Sequence, residues 1–289
     1  MELKAIDRIS ATEEAFRPYY EQQIPCVFTD FTAQWKMRDW DYDFLEKVAG
    51  DDLVKVYSNA YKNGQALDVQ TKEDLEIPFR DFLVYLRENK PSEYRLFLFD
   101  IFKEHPELIE HIEQPSIGVH FLNYRFCFFG GPESATRMHY DIDYSNVFLS
   151  QFLGRKDILL FDRSQGENLY QIPLTTHSLI DFSRLEEYEE ADYPNLQQLK
   201  GYKLSLYPGE TLFMPSGYWH YIAYPESSFS VALRSMSSKW IDVLHGANNV
   251  FVSRNIQRAI SFSPRMKRMM DDYKKQLIRK RYENIPIEF

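Results

Sequence analysis

From about His120 to Ser235 the chain is a succession of short aromatic and β-branched runs separated by turn residues: HFLNYRFCFF, NVFLSQFL, DILLF, YKLSLY, ETLFM, HYIAY and SFSVAL. Residues of this kind suit a pleated, half-buried backbone, and many short strands at close spacing predict an antiparallel sandwich or barrel. The flanks read differently. Ser10 and Glu13 have the spacing of a helix capping box, and the apolar run IPCVF follows as a short strand. A helix is predicted from Asp41 through Val48 and a strand at LVKVYS, while IPFRDFLVYLRENK repeats apolar residues at helical spacing. These elements make an α/β preamble to a mainly β core. Helical periodicity returns after Lys239, with a stripe at Met266, Met269, Met270, Tyr273 and Leu277 that predicts a packing face, one that a second subunit could cover. No Pro/Gly/Ser-rich linker divides the chain. Residues 1–238 are therefore expected to form one domain, with its barrel core at about 120–238, and residues 239–289 a C-terminal helical segment suited to dimerisation.

Composition limits what such a chain can be. A hydrophobic fraction of 44%, with 22 Phe and 20 Tyr, supplies a substantial core and the lining of a pocket. The net charge of -9 conceals an asymmetry: residues 239–289 carry eleven Lys/Arg against five Asp/Glu, so the body before them is strongly acidic. An acidic body disfavours broad contact with phosphate backbones, whereas the basic tail keeps a nucleic-acid partner open. MELKAIDRISATEE has none of the features of a signal peptide, and no apolar run approaches transmembrane length; a cytoplasmic protein without membrane contact is expected. Cys26 and Cys127 each lie in an apolar run and are expected to be buried thiols.

Two histidines and one aspartate carry the chemistry: His139 and Asp141 in RMHYDIDYSN, and His220 at the end of YPGETLFMPSGYWH. Together they have the composition of the two-His, one-carboxylate set that holds non-haem Fe(II) on one face and leaves the opposite face open. The short motif alone is close to chance, since 7 His and 20 Asp in 289 residues give an expectation of about 0.5 His-x-Asp pairs. His105-Pro-Glu107 and His111-Ile-Glu113 have the same spacing in a segment that reads as a polar helix. There, residues two apart point about 200° away from each other, so both pairs are expected on a solvated face. On an extended segment the side chains of His139 and Asp141 instead leave one face roughly 6 to 7 Å apart, a span that one ion can bridge. His120, His177 and His245 lack partners at ligand spacing and are expected to be structural.

The region Thr136–Leu233 resembles the JmjC, cupin-like family of Fe(II)- and 2-oxoglutarate-dependent oxygenases, in particular the factor-inhibiting-HIF asparaginyl hydroxylase branch. Four segments carry the likeness: Thr136-x-x-His139-Tyr140-Asp141, Asn146, Gly154-Arg155-Lys156, and Pro208-Gly209-Glu210 leading to Pro215 and Trp219-His220. The resemblance extends over about residues 20–238. It implies a double-stranded β-helix, a jelly roll whose mouth holds Fe(II) on His139, Asp141 and His220, with 2-oxoglutarate and O2 at the remaining positions. It further implies that Lys156 and Thr136 receive the distal carboxylate of 2-oxoglutarate. Asn146 matches a co-substrate-side asparagine, with one extra residue between it and His139; Ser145 is the alternative. The tyrosine that relatives aim at that carboxylate falls on Phe97, with Tyr94 as its substitute, and a polar residue of the last barrel strand falls on Ala232. Arg234, where the resembled hydroxylase branch has an aromatic residue, implies a different substrate surface, and Trp219 is expected to support the metal site from beneath. The reading that follows is a dioxygenase hydroxylating a protein or peptide side chain. Its alternatives are demethylation, a hydroxylase of a modified tRNA base, and a metal-binding cupin scaffold without turnover.

Overall fold

A computed structural model of the chain describes residues 1–58, 67, 73–253, 255, 263–282 and 285. Its centre is a jelly roll of eight antiparallel strands: β7 (Phe126–Gly130), β8 (Ala135–His139), β9 (Asn146–Leu153), β10 (Lys156–Phe161), β11 (Lys200–Leu206), β12 (Thr211–Met214), β13 (Trp219–Ala223) and β14 (Ser228–Ser235). They divide between two facing sheets, ordered β11-β10-β13-β8 and β12-β9-β14-β7. Apart from β10 and β11, which pair within one sheet, successive strands cross between the sheets, the jelly-roll arrangement that the resemblance implies and a form of the sandwich or barrel expected from the strand pattern.

The preamble does not stand apart from this barrel. Strands β1 (Glu2–Lys4), β2 (Arg8–Ile9) and β3 (Cys26–Phe28) pair onto the open edges, β1 parallel to β11 and β3 antiparallel to β12. β6 (Arg95–Phe99) covers the opposite edge on β7, so one sheet has seven strands and the other five. The exposed row of backbone donors that an open sheet would present is thereby covered. A two-stranded ribbon, β4 (Leu53–Val56) with β5 (Leu75–Pro78), lies outside both sheets.

Helices α1 (Glu13–Gln22), α2 (Tyr42–Ala49) and α3 (Phe79–Arg87) flank the larger sheet, and a short α4 (Ile101–Glu104) leads into a 3-10 turn at Pro106–His111. Helix α2 starts where expected because the Asp41 carboxylate accepts from the Phe44 amide at 2.7 Å. Helix α1 starts later than the capping box predicted: Thr12, not Ser10, accepts from the Ala15 amide, and Glu13 is committed to Arg17. The predicted solvated face at His105 and His111 is also corrected. His105 Nε2 lies 2.9 Å from Asp52, and His111 Nδ1 accepts from Trp40 Nε1 at 2.8 Å, so both rings tie loops to the body.

Three apolar clusters follow from this layering. The largest lies between the seven-stranded sheet and the helices and is dominated by aromatic rings; Phe148 alone lies within 6.3 Å, centroid to centroid, of Phe16, Phe28, Phe31, Phe121 and Phe213. A second packs the insert between β10 and β11 onto the outer face of the smaller sheet, around Phe161, Tyr170 and Trp219. The third fills the barrel interior with Val147, Leu149, Ile158, Leu160, Leu206, Ile222 and Ala232. Cys26 and Cys127 are buried and unpaired.

Helices α5 (Trp240–Asn248) and α6 (Pro264–Arg281) follow the barrel. Helix α6 docks through Ile278, with Tyr282 just beyond it against Tyr170. The predicted stripe faces away from this contact, leaving Met266, Met269 and Tyr273 at least half exposed. No helix among the described residues is long and apolar enough to cross a membrane.

Because Phe148 packs against five other rings of the main cluster, Phe148→Ala should open a cavity that rigid neighbours cannot collapse. A loss of about 3–5 kcal/mol is expected, read as a lower midpoint in urea unfolding.

Candidate metal centre and anion pocket

Strand pairing brings the predicted ligands together. His220 on β13 lies directly opposite His139 at the end of β8, and their ring centroids are 4.3 Å apart. Asp141 follows in the turn, with Oδ1 3.7 Å from His139 Nε2. One donor atom from each of the three lies within 4.8 Å of the others, the only such group of His, Cys, Asp or Glu among the described residues.

The unused atoms of each ligand are already committed. Nδ1–H of His139 donates to the Arg137 carbonyl at 2.8 Å, and Nδ1–H of His220 donates to the Tyr218 carbonyl at 3.1 Å. Each ring therefore presents Nε2 as a bare acceptor, the state a metal needs. Burial pushes the His220 pKa down to about 4, with the neighbouring His139 adding to the effect, so this ring is neutral at physiological pH. Asp141 divides its oxygens: Oδ1 faces the histidines and Oδ2 lies 2.8 Å from Arg234 Nη1. Burial raises the Asp141 pKa, but Arg234 and the two histidines outweigh it and hold the carboxyl well below the usual range. The neutral His220 ring, the His139 ring held by its Nδ1–H, and an ionised carboxylate fit a divalent cation.

Arg234, expected at a substrate surface, is turned inward. It is 7% exposed, and its Nη1 also donates to Ser145 Oγ at 2.7 Å and approaches Asp143 at 3.2 Å. It faces the carboxylate rather than a substrate surface. A strand reading SFSVALRS gives no sign that the barrel end turns this arginine inward.

The co-substrate residues divide. Thr136 and His139 are three apart, which on a regular strand would put them on opposite faces. The register slips between His220 and Ile222, so two steps on β13 match three on β8, and both side chains enter the barrel. Lys156, two residues before Ile158, enters the same interior and is only 1% exposed. Gly154, at φ 63°, makes the turn that delivers it, where a Cβ would collide with the Ser227 carbonyl. The Lys156 ammonium donates to Ser230 Oγ and lies 4.7 Å from the centre of the Tyr224 ring. No carboxylate among the described residues pairs with it, and burial pushes its pKa down to about 7.

Asn146 and Tyr94 are not brought to this pocket. The Asn146 amide donates to Ser235 Oγ and the Met236 carbonyl and accepts from the Ser216 amide, pinning β9 to β14. Ser145, the alternative, lines a small cavity with Asp141, Val147 and His220. Tyr94 packs against the outer aromatic cluster, and Ala232 is fully buried inside the barrel. Trp219 supports the site from behind: it lies on the outer face of β13, edge-on to Tyr140 at 4.8 Å. His177, read as structural, bridges to His139 through the backbone, and its ring stacks on that ligand at 5.3 Å and 18°.

A jelly roll with two histidines and an aspartate converging at one end is a cupin with a site for a single metal ion. The chain belongs to the cupin-like, JmjC-type family of iron- and 2-oxoglutarate-dependent oxygenases; the family's cupin-like domain matches residues 12–237. It is 30% identical over 231 residues to "Lysine-specific demethylase JMJ30" of Arabidopsis thaliana, covering 76% of this chain and 52% of that one. It is 25% identical over 260 residues to "2-oxoglutarate and iron-dependent oxygenase JMJD4" of Gallus gallus (78% and 58%). It is 26% identical over 244 residues to "tRNA wybutosine-synthesizing protein 5" of the same species (77% and 73%). The chain thus spans about half the length of the first two. Fe(II), 2-oxoglutarate and O2 are the cofactors of the family, and the donor set described above fits that metal.

Replacing Arg234 by Met should leave Asp141 buried without its counter-ion. Affinity for Mn(II) is then expected to fall about tenfold near pH 8 and further near pH 6, because the carboxyl protonates more readily; calorimetric titration at the two pH values checks this.

Proposed function

We propose that the chain is an Fe(II)- and 2-oxoglutarate-dependent dioxygenase that hydroxylates a side chain of a protein or peptide. One observation carries the reading: inside a single barrel, three converging metal donors share an interior with Lys156, a buried ammonium that has no anion of its own. Two bare imidazole nitrogens and one carboxylate oxygen suit iron, and an unpaired buried ammonium suits the far carboxylate of a dicarboxylic co-substrate.

In this reading His139, Asp141 and His220 hold Fe(II), which with 2-oxoglutarate supplies the oxidising chemistry. The other residues position and protect. Arg137 and Tyr218 fix the tautomers of the two histidines through their carbonyls. Arg234 keeps Asp141 ionised and one of its oxygens occupied. Lys156 and Thr136 receive the distal carboxylate, while Ile158, Leu160 and Ile222 exclude water and so strengthen that charge pairing. Demethylation of a methylated side chain is the same oxidation on a carbon beside nitrogen; hydroxylation is preferred from the hydroxylase-like spacing of the motifs. Residues 1–238 are read as the catalytic unit. The exposed Met266, Met269 and Tyr273 are read as the face that pairs α6 with a second copy.

A second reading has its own support. Between Pro264 and Arg281, α6 carries Arg265, Lys267, Arg268, Lys274, Lys275, Arg279, Lys280 and Arg281, and the relative of which the chain covers 73% is named for tRNA wybutosine synthesis. A basic helix beside the barrel suits a tRNA substrate.

Purified protein with Fe(II), 2-oxoglutarate and ascorbate should release succinate and CO2 even without substrate, and His139→Ala should abolish the release. Equal release from the variant would overturn the reading. Steep loss of tRNA retention as salt rises, removed by substitutions in α6, would move the assignment to the second reading; retention indifferent to those substitutions would exclude it.

A further inference from the structure

The interior around Lys156 contains a second positive charge that the proposed chemistry leaves unassigned. Arg95, on edge strand β6, reaches inward until Nη1 donates to Thr136 Oγ1 at 3.1 Å and its guanidinium lies 4.7 Å over the Phe97 ring. It is 8% exposed, and its Nε is buried without a partner. No carboxylate among the described residues pairs with it. Thr136 joins the two cations, because its hydroxyl is also bonded to Tyr224, whose ring faces the Lys156 ammonium.

Two unpaired cations in one low-dielectric interior are costly, and they can respond differently. Lys156 can shed its proton, its pKa being pushed down to about 7 by burial. Arg95 cannot, since a guanidinium stays protonated throughout the range in which proteins fold. Nor does Tyr224 supply the missing anion, because burial pushes its phenol up to about 12. No group among the described residues neutralises Arg95, so an incoming anion would, and its planar array of unused donors matches a carboxylate.

We infer that Arg95 is a second anchor for the distal carboxylate of 2-oxoglutarate, acting with Lys156 from the two sides of Thr136 and Tyr224. The inference rests on the oxygenase reading. It makes the pocket permanently cationic, whichever state Lys156 occupies, and so selective for a 2-oxoacid that ends in a carboxylate.

The test is calorimetric titration of the Mn(II)-loaded full chain with 2-oxoglutarate and with 2-oxobutyrate, which lacks the distal carboxylate. Arg95→Met should weaken 2-oxoglutarate roughly tenfold or more and leave 2-oxobutyrate unchanged. Arg95→Lys, which keeps the charge and loses the fork, should fall between, and it carries the test should the Met variant not fold. Equal weakening of both ligands would reduce Arg95 to a structural prop, and weakening of neither would remove it from the pocket; either result overturns the inference. Lys156→Met separates the two levels. If it weakens 2-oxoglutarate while Arg95→Met does not, the inference alone fails; if it changes nothing, the oxygenase reading fails with it.

Discussion

One antiparallel register holds the functional end of the barrel together: His220 of β13 opposite His139 of β8. A slip of one residue would turn one ring to the outside, so neither ligand could be kept without the pairing. The register is guarded on both sides. β10 sets Leu160 beside His220, while Trp219 and Tyr140 interlock on the outer face. The irregularity two residues further along brings Thr136 onto the inner face as well. A single bulge therefore aligns the candidate metal donors and the proposed anion pocket along one strand pair, and bulges recur beside active sites.

Around that pairing the barrel concentrates charge where apolar side chains dominate. Arg234 is satisfied by Asp141 and Asp143, whereas Lys156 and Arg95 are not satisfied by any acid among the described residues. Burying a cation without a counter-ion costs several kcal/mol, which a fold selected for stability alone would avoid. The large aromatic cluster on the other side of the seven-stranded sheet can sustain that cost, and an arriving anion would remove it. The candidate metal centre and the proposed anion pocket thus differ in kind: one brings together a full donor set, the other is a deficit of negative charge.

Much of this was legible in the residues, for physical reasons that also explain what was not. The strand pattern predicted an antiparallel sandwich or barrel because short aromatic runs leave a chain few alternatives to antiparallel closure, and the family resemblance narrowed that to a jelly roll. His139 and Asp141 stood apart from His105 and His111 because extended backbone puts alternate residues on one face and a helix does not. The capping of α1 was misplaced by two residues because Ser10 and Thr12 are equivalent locally, and only tertiary contacts choose between them. Arg95 was missed, and Arg234 was assigned to a substrate surface, for a different reason. A charged residue in a strand reads as a solvent-facing position, and nothing local in YRLFLF or SFSVALRS reports that a neighbouring strand closes over it. Asn146 and Tyr94 went to structural tasks because each has a nearer partner than the pocket, the end of β14 for one and the outer cluster for the other.

In the proposed function, three protein donors hold one metal ion on one side and leave the other side to a chelating dicarboxylate. Counting the exchangeable waters on bound Mn(II), by proton relaxation or pulsed EPR, addresses it directly. An octahedral ion on His139, Asp141 and His220 should carry about three waters, and saturation with 2-oxoglutarate should leave about one. A water count unaffected by 2-oxoglutarate, or retained in full after His220→Ala, would contradict the account.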